Sequence, residues 1–378
     1  MIYITVVDHN GKTVEQKSLN VLDGYDYQMK LTQLEKERRD NQKKWKPVGQ
    51  IKHFKDGYVG KAVHEICQLV LKYNAIIVME SLNKKFMTRR SAAFGPAIYS
   101  KFQRALLNKL SYLVLKDRKP LENGGILNGY QFASCPDKID EQPVQYGRVF
   151  FVTAGYTSSI DPVTGFVSLF SFDEYEDSNE KAKKFTNGFD IIRVNEENVA
   201  ELFFSYDKFK TSEKWTNKTW HCIIRGKRII PHKNQNTGFW EYHNEDMRKE
   251  LDELFEKYGK KLAAGTDIKE LMGDIRKENP EIDKEFVFLM KKVFRLRNFN
   301  RETGEDYIIS PAVDDYGETF DSRDSRNAEI GRPVNGDSNG SRNIAIKGLM
   351  SLRSITETEK FHSVSNADWF RGEGSFSE

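Results

Sequence analysis

Ala75-Ile76-Ile77-Val78-Met79-Glu80 is the stretch on which the reading of the fold turns. Five apolar residues, three of them β-branched, run into a carboxylate. The run is far too short to cross a bilayer and has the length and residue types of a buried central strand. The C-terminal edge of such a strand is where α/β sheets place their sites, and Glu80 stands there. Taken alone, Glu80 reads as a solvated acid leading into the next loop.

Outward from this strand the periodicity alternates. Val59, Val63, Ile66 and Val70 recur at helical spacing before it, and Phe102, Leu106, Leu110 and Leu113 do so after it. Residues 148–153 read as another strand. At the N-terminus, residues 1–7 and 13–19 are β-rich runs around the turn signal Asp8-His9-Asn10-Gly11, which predicts an antiparallel hairpin. Residues 31–45 are charged and free of breakers, so they predict an exposed helix ended by Pro47. The order of hairpin, helices, strand ending in an acid, helix and strand suits a ribonuclease-H-like α/β layout; periodicity alone also fits other α/β folds.

From Tyr156 the texture changes. Thr157-Ser158-Ser159 and Asp161-Pro162 mark a loop, after which come aromatic-rich, mixed-charge stretches and two amphipathic helices. One carries Leu251, Leu254, Phe255, Tyr258 and Leu262; the other carries Phe286, Leu289, Val293 and Leu296. Residues 156–330 are therefore expected to form a second, inserted α+β domain between residues 1–155 and 331–378. Residues 321–343, rich in Asp, Ser, Arg, Asn and Gly, read as a linker into a last helix with Ala345, Leu349 and Leu352 on one face.

The 378 residues carry 59 Lys and Arg against 56 Asp and Glu, so net charge announces no partner and local clusters matter more. Lys84, Lys85, Arg89 and Arg90 form one such cluster. A charge cluster is commonly a solvated face, and single-stranded nucleic acid is the functional alternative. The three cysteines, Cys67, Cys135 and Cys222, have neither disulfide nor zinc-site spacing. No signal peptide or membrane span is legible, so a cytoplasmic protein is expected.

Two further residues could carry chemistry. Asp337 lies in Asn335-Gly336-Asp337-Ser338-Asn339-Gly340 before a helix, where it reads either as an N-cap or as a metal ligand. Arg297 lies in Arg295-Leu296-Arg297-Asn298, and its fork of donors suits a phosphate.

Each signal is weak singly, but several stretches together resemble, in order, the C-terminal part of the type V-A CRISPR effector nucleases. Met1-Ile2-Tyr3-Ile4-Thr5-Val6 is similar to the strand after that family's first RuvC aspartate. Trp45-Lys46-Pro47-Val48-Gly49 resembles the end of its bridge helix, and Ile77-Val78-Met79-Glu80-Ser81-Leu82-Asn83 its second RuvC motif. Tyr156-Thr157-Ser158-Ser159-Ile160-Asp161-Pro162 resembles the entry to its Nuc domain. Arg297-Asn298 with Gly304-Glu305-Asp306-Tyr307-Ile308 resembles the Nuc motif that carries a functional arginine. Asp337-Ser338-Asn339-Gly340 followed by Ile344-Ala345-Ile346-Lys347-Gly348 resembles the third RuvC motif, and Ser365-Asn366-Ala367-Asp368-Trp369 the family's tail.

The resemblance implies a ribonuclease-H-like RuvC domain with an inserted Nuc domain. It implies RNA-guided hydrolysis of DNA phosphodiesters with Mg²⁺, Glu80 and Asp337 being metal ligands and Arg297 and Asp306 further catalytic residues. Guide RNA and target DNA are the implied partners, Lys84, Lys85 and Arg89 the implied strand contacts, and Trp45 the implied anchor to a recognition lobe. It also puts the family's first catalytic aspartate a few residues before Met1, so a chain starting at Met1 is expected to cut poorly. The alternative reading is a catalytically dead fragment that binds nucleic acid. A stand-alone RuvC-like resolvase or transposon nuclease would need neither Trp45 nor the insertion.

Overall fold

The computed structural model describes residues 2–22, 25–42, 50–81, 96–134, 145–153, 155–209 and 218–358. Trp45, Lys84, Lys85, Arg89, Arg90, Cys135 and the segment 365–369 lie outside the described residues. The described residues form two compact units. One comprises residues up to Gly155 together with those from Ile344 onward; the other is Tyr156–Asn343.

The first unit contains the hairpin expected from the N-terminal sequence, with Tyr3–Val7 antiparallel to Thr13–Ser18. Asp8 makes the turn, its Oδ1 accepting from the backbone N–H groups of Asn10 and Lys12. The helices Tyr27–Gln42, Gln50–Tyr73 and Pro96–Ser111 follow the periodicity, although Leu113 falls beyond the third helix in an isolated bridge with Tyr130. Strand Ile77–Ser81 runs parallel to Val149–Thr153, which pairs antiparallel with Gln145–Tyr146. Glu80 is thus the penultimate residue of its strand, paired in register with Val152, and does not lie past the strand's end. Val59, Val63, Ile66, Val70, Phe102, Leu106 and Leu110 pack with Val149 and Phe151 into one apolar core.

The second unit is built on a sheet in which Arg297–Phe299, Asp306–Val313, Thr219–Ile223, Ala200–Ser205 and Ile191–Val194 are successive neighbours, with Thr319–Asp321 paired to Asp306–Val313. The hairpin Lys227–Lys233 with Trp240–Asp246 is a separate two-stranded sheet, whose Ile229 packs with Tyr307 and Ile309. The two amphipathic helices are shorter than the apolar spacing suggests. Met247–Glu256 ends before Tyr258 and Leu262, and Ile282–Val293 ends before Leu296. Those residues still reach the same core, which is dense in phenylalanine; Phe166, Phe185, Phe189, Phe204, Phe255, Phe286 and Phe294 are each fully buried or nearly so.

Residues 321–343 are not the linker that their composition suggests. Ser322, Asn327, Ser338, Asn339 and Asn343 are all buried, and the last helix, Gly336–Thr358, begins inside this segment. The helix also buries a different face from the one its apolar residues mark. Asn339, Asn343, Lys347 and Ser351, spaced four apart, are 0 to 2% exposed, whereas Ala345, Leu349 and Leu352 are half-buried. The physical reason is the partner, which is main chain whose carbonyls take side-chain donors. In the second unit Asn339 Nδ2 donates to the Ile160 carbonyl and Asn343 Nδ2 to the Thr157 carbonyl, each at 2.7 Å. In the first unit Lys347 Nζ donates to the carbonyls of Gly155 at 2.9 Å and Thr153 at 3.3 Å.

Within the first unit Gly348 brings this helix against the strand that carries Glu80. A Cβ at Gly348 would stand 2.3 Å from Val78 Cγ2 and 2.9 Å from Val78 Cβ. Gly348→Ala is therefore expected to lower stability by about 1–3 kcal/mol, the cost of overpacking, despite alanine's better helix propensity. Thermal unfolding reads this, and Val78→Ala in the same chain is expected to recover part of the loss. A Gly348→Ala protein as stable as wild type would contradict the close approach.

Candidate functional site

Three of the sequence-derived candidates come together in the second unit, through two separate local devices. The first is the hairpin of Arg297–Phe299 and Asp306–Val313, in which Arg297 pairs with Ile308 and Phe299 with Asp306. Arg297 and Asp306 thus meet across the ladder. Arg297 Nε donates to Asp306 Oδ1 at 2.9 Å and Nη2 to Asp306 Oδ2 at 3.0 Å, a bidentate pair.

The second device is the start of the last helix. Asn335 Oδ1 accepts from the Ser338 backbone N–H at 2.8 Å, and Ser338 Oγ accepts from the Asn335 backbone N–H at 3.0 Å. This reciprocal arrangement is a capping box with Asn335 as the cap. Asp337, read from sequence as a possible N-cap, is not one: it sits in the helix's first turn with its carboxylate free for another partner. Asp337 Oδ1 accepts from Arg297 Nη2 at 2.7 Å. One guanidinium therefore serves two carboxylates, leaving the triad with one net negative charge.

Asp306 is nearly buried, and Arg297 and Asp337 are about a third exposed at their side chains. Burial pulls the Arg297 guanidinium down, but the bonds and charges of Asp306 and Asp337 outweigh it and hold the group above its ordinary range. Among the described residues no partner bonds Arg297 Nη1 or Asp337 Oδ2, so one donor and one hard oxygen of the triad are uncommitted. Gly336 makes the approach possible. A Cβ there would lie 2.5 Å from Arg297 Nε and 2.6 Å from Asp306 Oδ1.

Glu80 belongs to the first unit. Its main chain is fixed by the parallel ladder and by Tyr99, whose hydroxyl donates to the Glu80 carbonyl at 2.8 Å. Burial first, and the Glu80 carboxylate second, push the Tyr99 phenol up. Burial brings the Lys347 amine down to about 8, and Glu80 opposes that shift. The surroundings of Glu80 thus include a buried amine that the sequence reading missed. Its signal in the sequence is the four-residue spacing of Asn339, Asn343, Lys347 and Ser351, which runs beside the apolar series Ala345, Leu349 and Leu352. The strand-contact residues Lys84, Lys85 and Arg89 lie outside the described residues.

A divalent cation prefers hard oxygen donors, and the carboxylates of Glu80 and Asp337 are of that kind. Among the described residues no group of three or more His, Cys, Asp or Glu side chains comes together in the manner of a complete ion site. No described helix is long and apolar enough to cross a membrane. A family model described as the RuvC nuclease domain matches residues 1–372. That is nearly the whole chain, which therefore belongs to the RuvC nuclease domain family, whose members are generally divalent-metal dependent.

Proposed function

From a RuvC nuclease domain as premise, we propose that this chain is the nuclease portion of a type V-A, RNA-guided CRISPR endonuclease that hydrolyses DNA strands with Mg²⁺. The observation that carries the reading is the family match over residues 1–372. The ordered motifs from Ile77-Val78-Met79-Glu80 through Arg297-Asn298 to Asp337-Ser338-Asn339-Gly340 narrow it to that type of effector. In this reading residues 156–330 are an inserted Nuc domain, and guide RNA and target DNA are the partners. Base pairing with the guide would choose the sequence. Trp45 would anchor a recognition lobe, and Lys84, Lys85 and Arg89 would hold the displaced strand by its backbone.

Glu80 and Asp337 would each be a carboxylate donor to a divalent cation. Such an ion supplies an activated water and stabilises charge on the phosphoryl group. The chain's own residues do the rest. Arg297 holds the Asp337 carboxylate turned toward it, and Asp306 in turn fixes the guanidinium plane through its bidentate bond. The uncommitted Nη1 would donate to a phosphate oxygen of the strand, a contact that suits guanidinium geometry.

The test is strand cleavage by the protein expressed from its complete open reading frame and loaded with guide RNA. Cutting of target and single-stranded DNA is expected with Mg²⁺ and not with a chelator. Cutting that ignores the guide, with preference for branched duplexes, would favour a resolvase-type nuclease. Guide-dependent binding without cutting would favour the catalytically dead alternative.

A further inference from the structure

Lys347 is 0% exposed, and a buried amine that keeps its charge costs several kcal/mol of desolvation unless it is compensated. It donates to the Gly155 and Thr153 carbonyls, at the end of the strand Val149–Thr153. That strand is the parallel neighbour of Ile77–Ser81, with Val152 opposite Glu80 and Thr153 opposite Ser81. The adjoining Gly348 packs on Val78, two residues before Glu80, which fixes the Lys347 main chain against the same strand.

Capping two carbonyls does not require a charge. Asn339 and Asn343, on the same helical stripe, cap the carbonyls of Ile160 and Thr157 with neutral amides. Val78 and Glu80, two residues apart, share one face of their strand, and Gly348 packs on Val78, so Lys347 stands on the face that carries the Glu80 carboxylate. We propose that Lys347 is a positioning residue for the reaction at Glu80: its two carbonyl bonds lock the strand end beside Glu80, and its buried positive charge holds that carboxylate in place. The inference rests on the reading of Glu80 as a reacting carboxylate.

The test uses Lys347→Gln, Lys347→Met, Lys347→Arg, Glu80→Gln and the double variant Glu80→Gln with Lys347→Gln, in the complete, guide-loaded protein. Single-turnover cleavage is measured against substrate concentration, and thermal unfolding without divalent cation is measured in parallel. Lys347→Gln keeps a donor for the carbonyls and removes the charge. It is expected to cut about 10- to 100-fold more slowly at saturating substrate, as is usual for residues that orient a ligand, with the half-saturating concentration unchanged. Lys347→Arg, which retains charge, is expected to recover part of that loss, and Lys347→Met to show at least the full loss. In the unfolding series Glu80→Gln is expected to lower the melting temperature in the wild-type background and not in Lys347→Gln, because the pair is coupled.

Wild-type cleavage by a folded Lys347→Gln protein, with Glu80→Gln inactive, would overturn this inference alone and reduce Lys347 to a carbonyl cap. Additive melting shifts would overturn it as well, even if both variants cut poorly. Full cleavage by Glu80→Gln would remove the reading of Glu80, and this inference with it.

Discussion

Glu80→Ala is expected to slow DNA cleavage by the guide-loaded protein by at least about 10³-fold, because a metal-bound carboxylate supports several kcal/mol of transition-state stabilisation and each 1.36 kcal/mol is tenfold in rate. The protein should stay folded. What holds residue 80 in place is main chain: the ladder opposite Val152 and the Tyr99 hydroxyl on its own carbonyl, neither of which needs the side chain. The residue is half-buried, so truncation leaves no large sealed cavity. The substitution does take a compensating charge away from Lys347, and a modest fall in melting temperature should accompany the lost activity. Single-turnover cleavage at saturating Mg²⁺, with circular dichroism on the same preparation, checks both halves. Cleavage within tenfold of wild type by a folded Glu80→Ala protein would remove Glu80 from the reacting groups.

The strand that carries Glu80 was legible because two short-range signals agreed there. An apolar, β-branched run fixed the element, and helical periodicity on both sides fixed its setting. The opening hairpin was legible for the same reason, since Asp8 closes its turn with bonds two and four residues away. The last helix was misread where its partners are remote in sequence. Asn339 satisfies a carbonyl 179 residues away and Asn343 one 186 residues away, so composition made a linker of a segment whose last third is largely buried. Its apolar residues then suggested the wrong buried face, because a helix that packs on main-chain carbonyls buries amides and an amine instead. The ends of Met247–Glu256 and Ile282–Val293 were overrun because Leu262 and Leu296 join the same core from outside the helix, and burial alone does not mark a helix end. At the triad, Arg297, Asp306 and Asp337 could each be named from local motifs. That one guanidinium bonds both carboxylates could not, since it depends on Asn335 taking over the cap and on Gly336 leaving room.

Gly336 gives the sharpest test of that arrangement, because the substitution changes no charge and removes no hydrogen-bonding group. In an ordinary first helical turn, replacing glycine with alanine stabilises by about 0.5–1 kcal/mol through the unfolded chain's lost freedom. Here the sign is expected to reverse. The new methyl would lie 2.5 Å from Arg297 Nε, 3.0 Å from Arg297 Cδ and 2.6 Å from Asp306 Oδ1. Those atoms cannot yield cheaply, since the guanidinium is held by two bonds to Asp306 and one to Asp337. Displacing it breaks the bidentate pair and leaves the nearly buried Asp306 carboxylate without its counter-charge. Gly336→Ala is therefore expected to destabilise the protein by about 1–3 kcal/mol, the usual range for overpacking. It should also slow cleavage by about 10- to 100-fold through a misplaced Asp337. A double-mutant cycle separates this cause from a general backbone effect. With Arg297→Ala in place the methyl meets no guanidinium, and Gly336→Ala should become neutral or mildly stabilising, as at any helix start. If Gly336→Ala is equally destabilising with and without Arg297, the strain lies in the helix backbone and the triad is not what Gly336 makes room for.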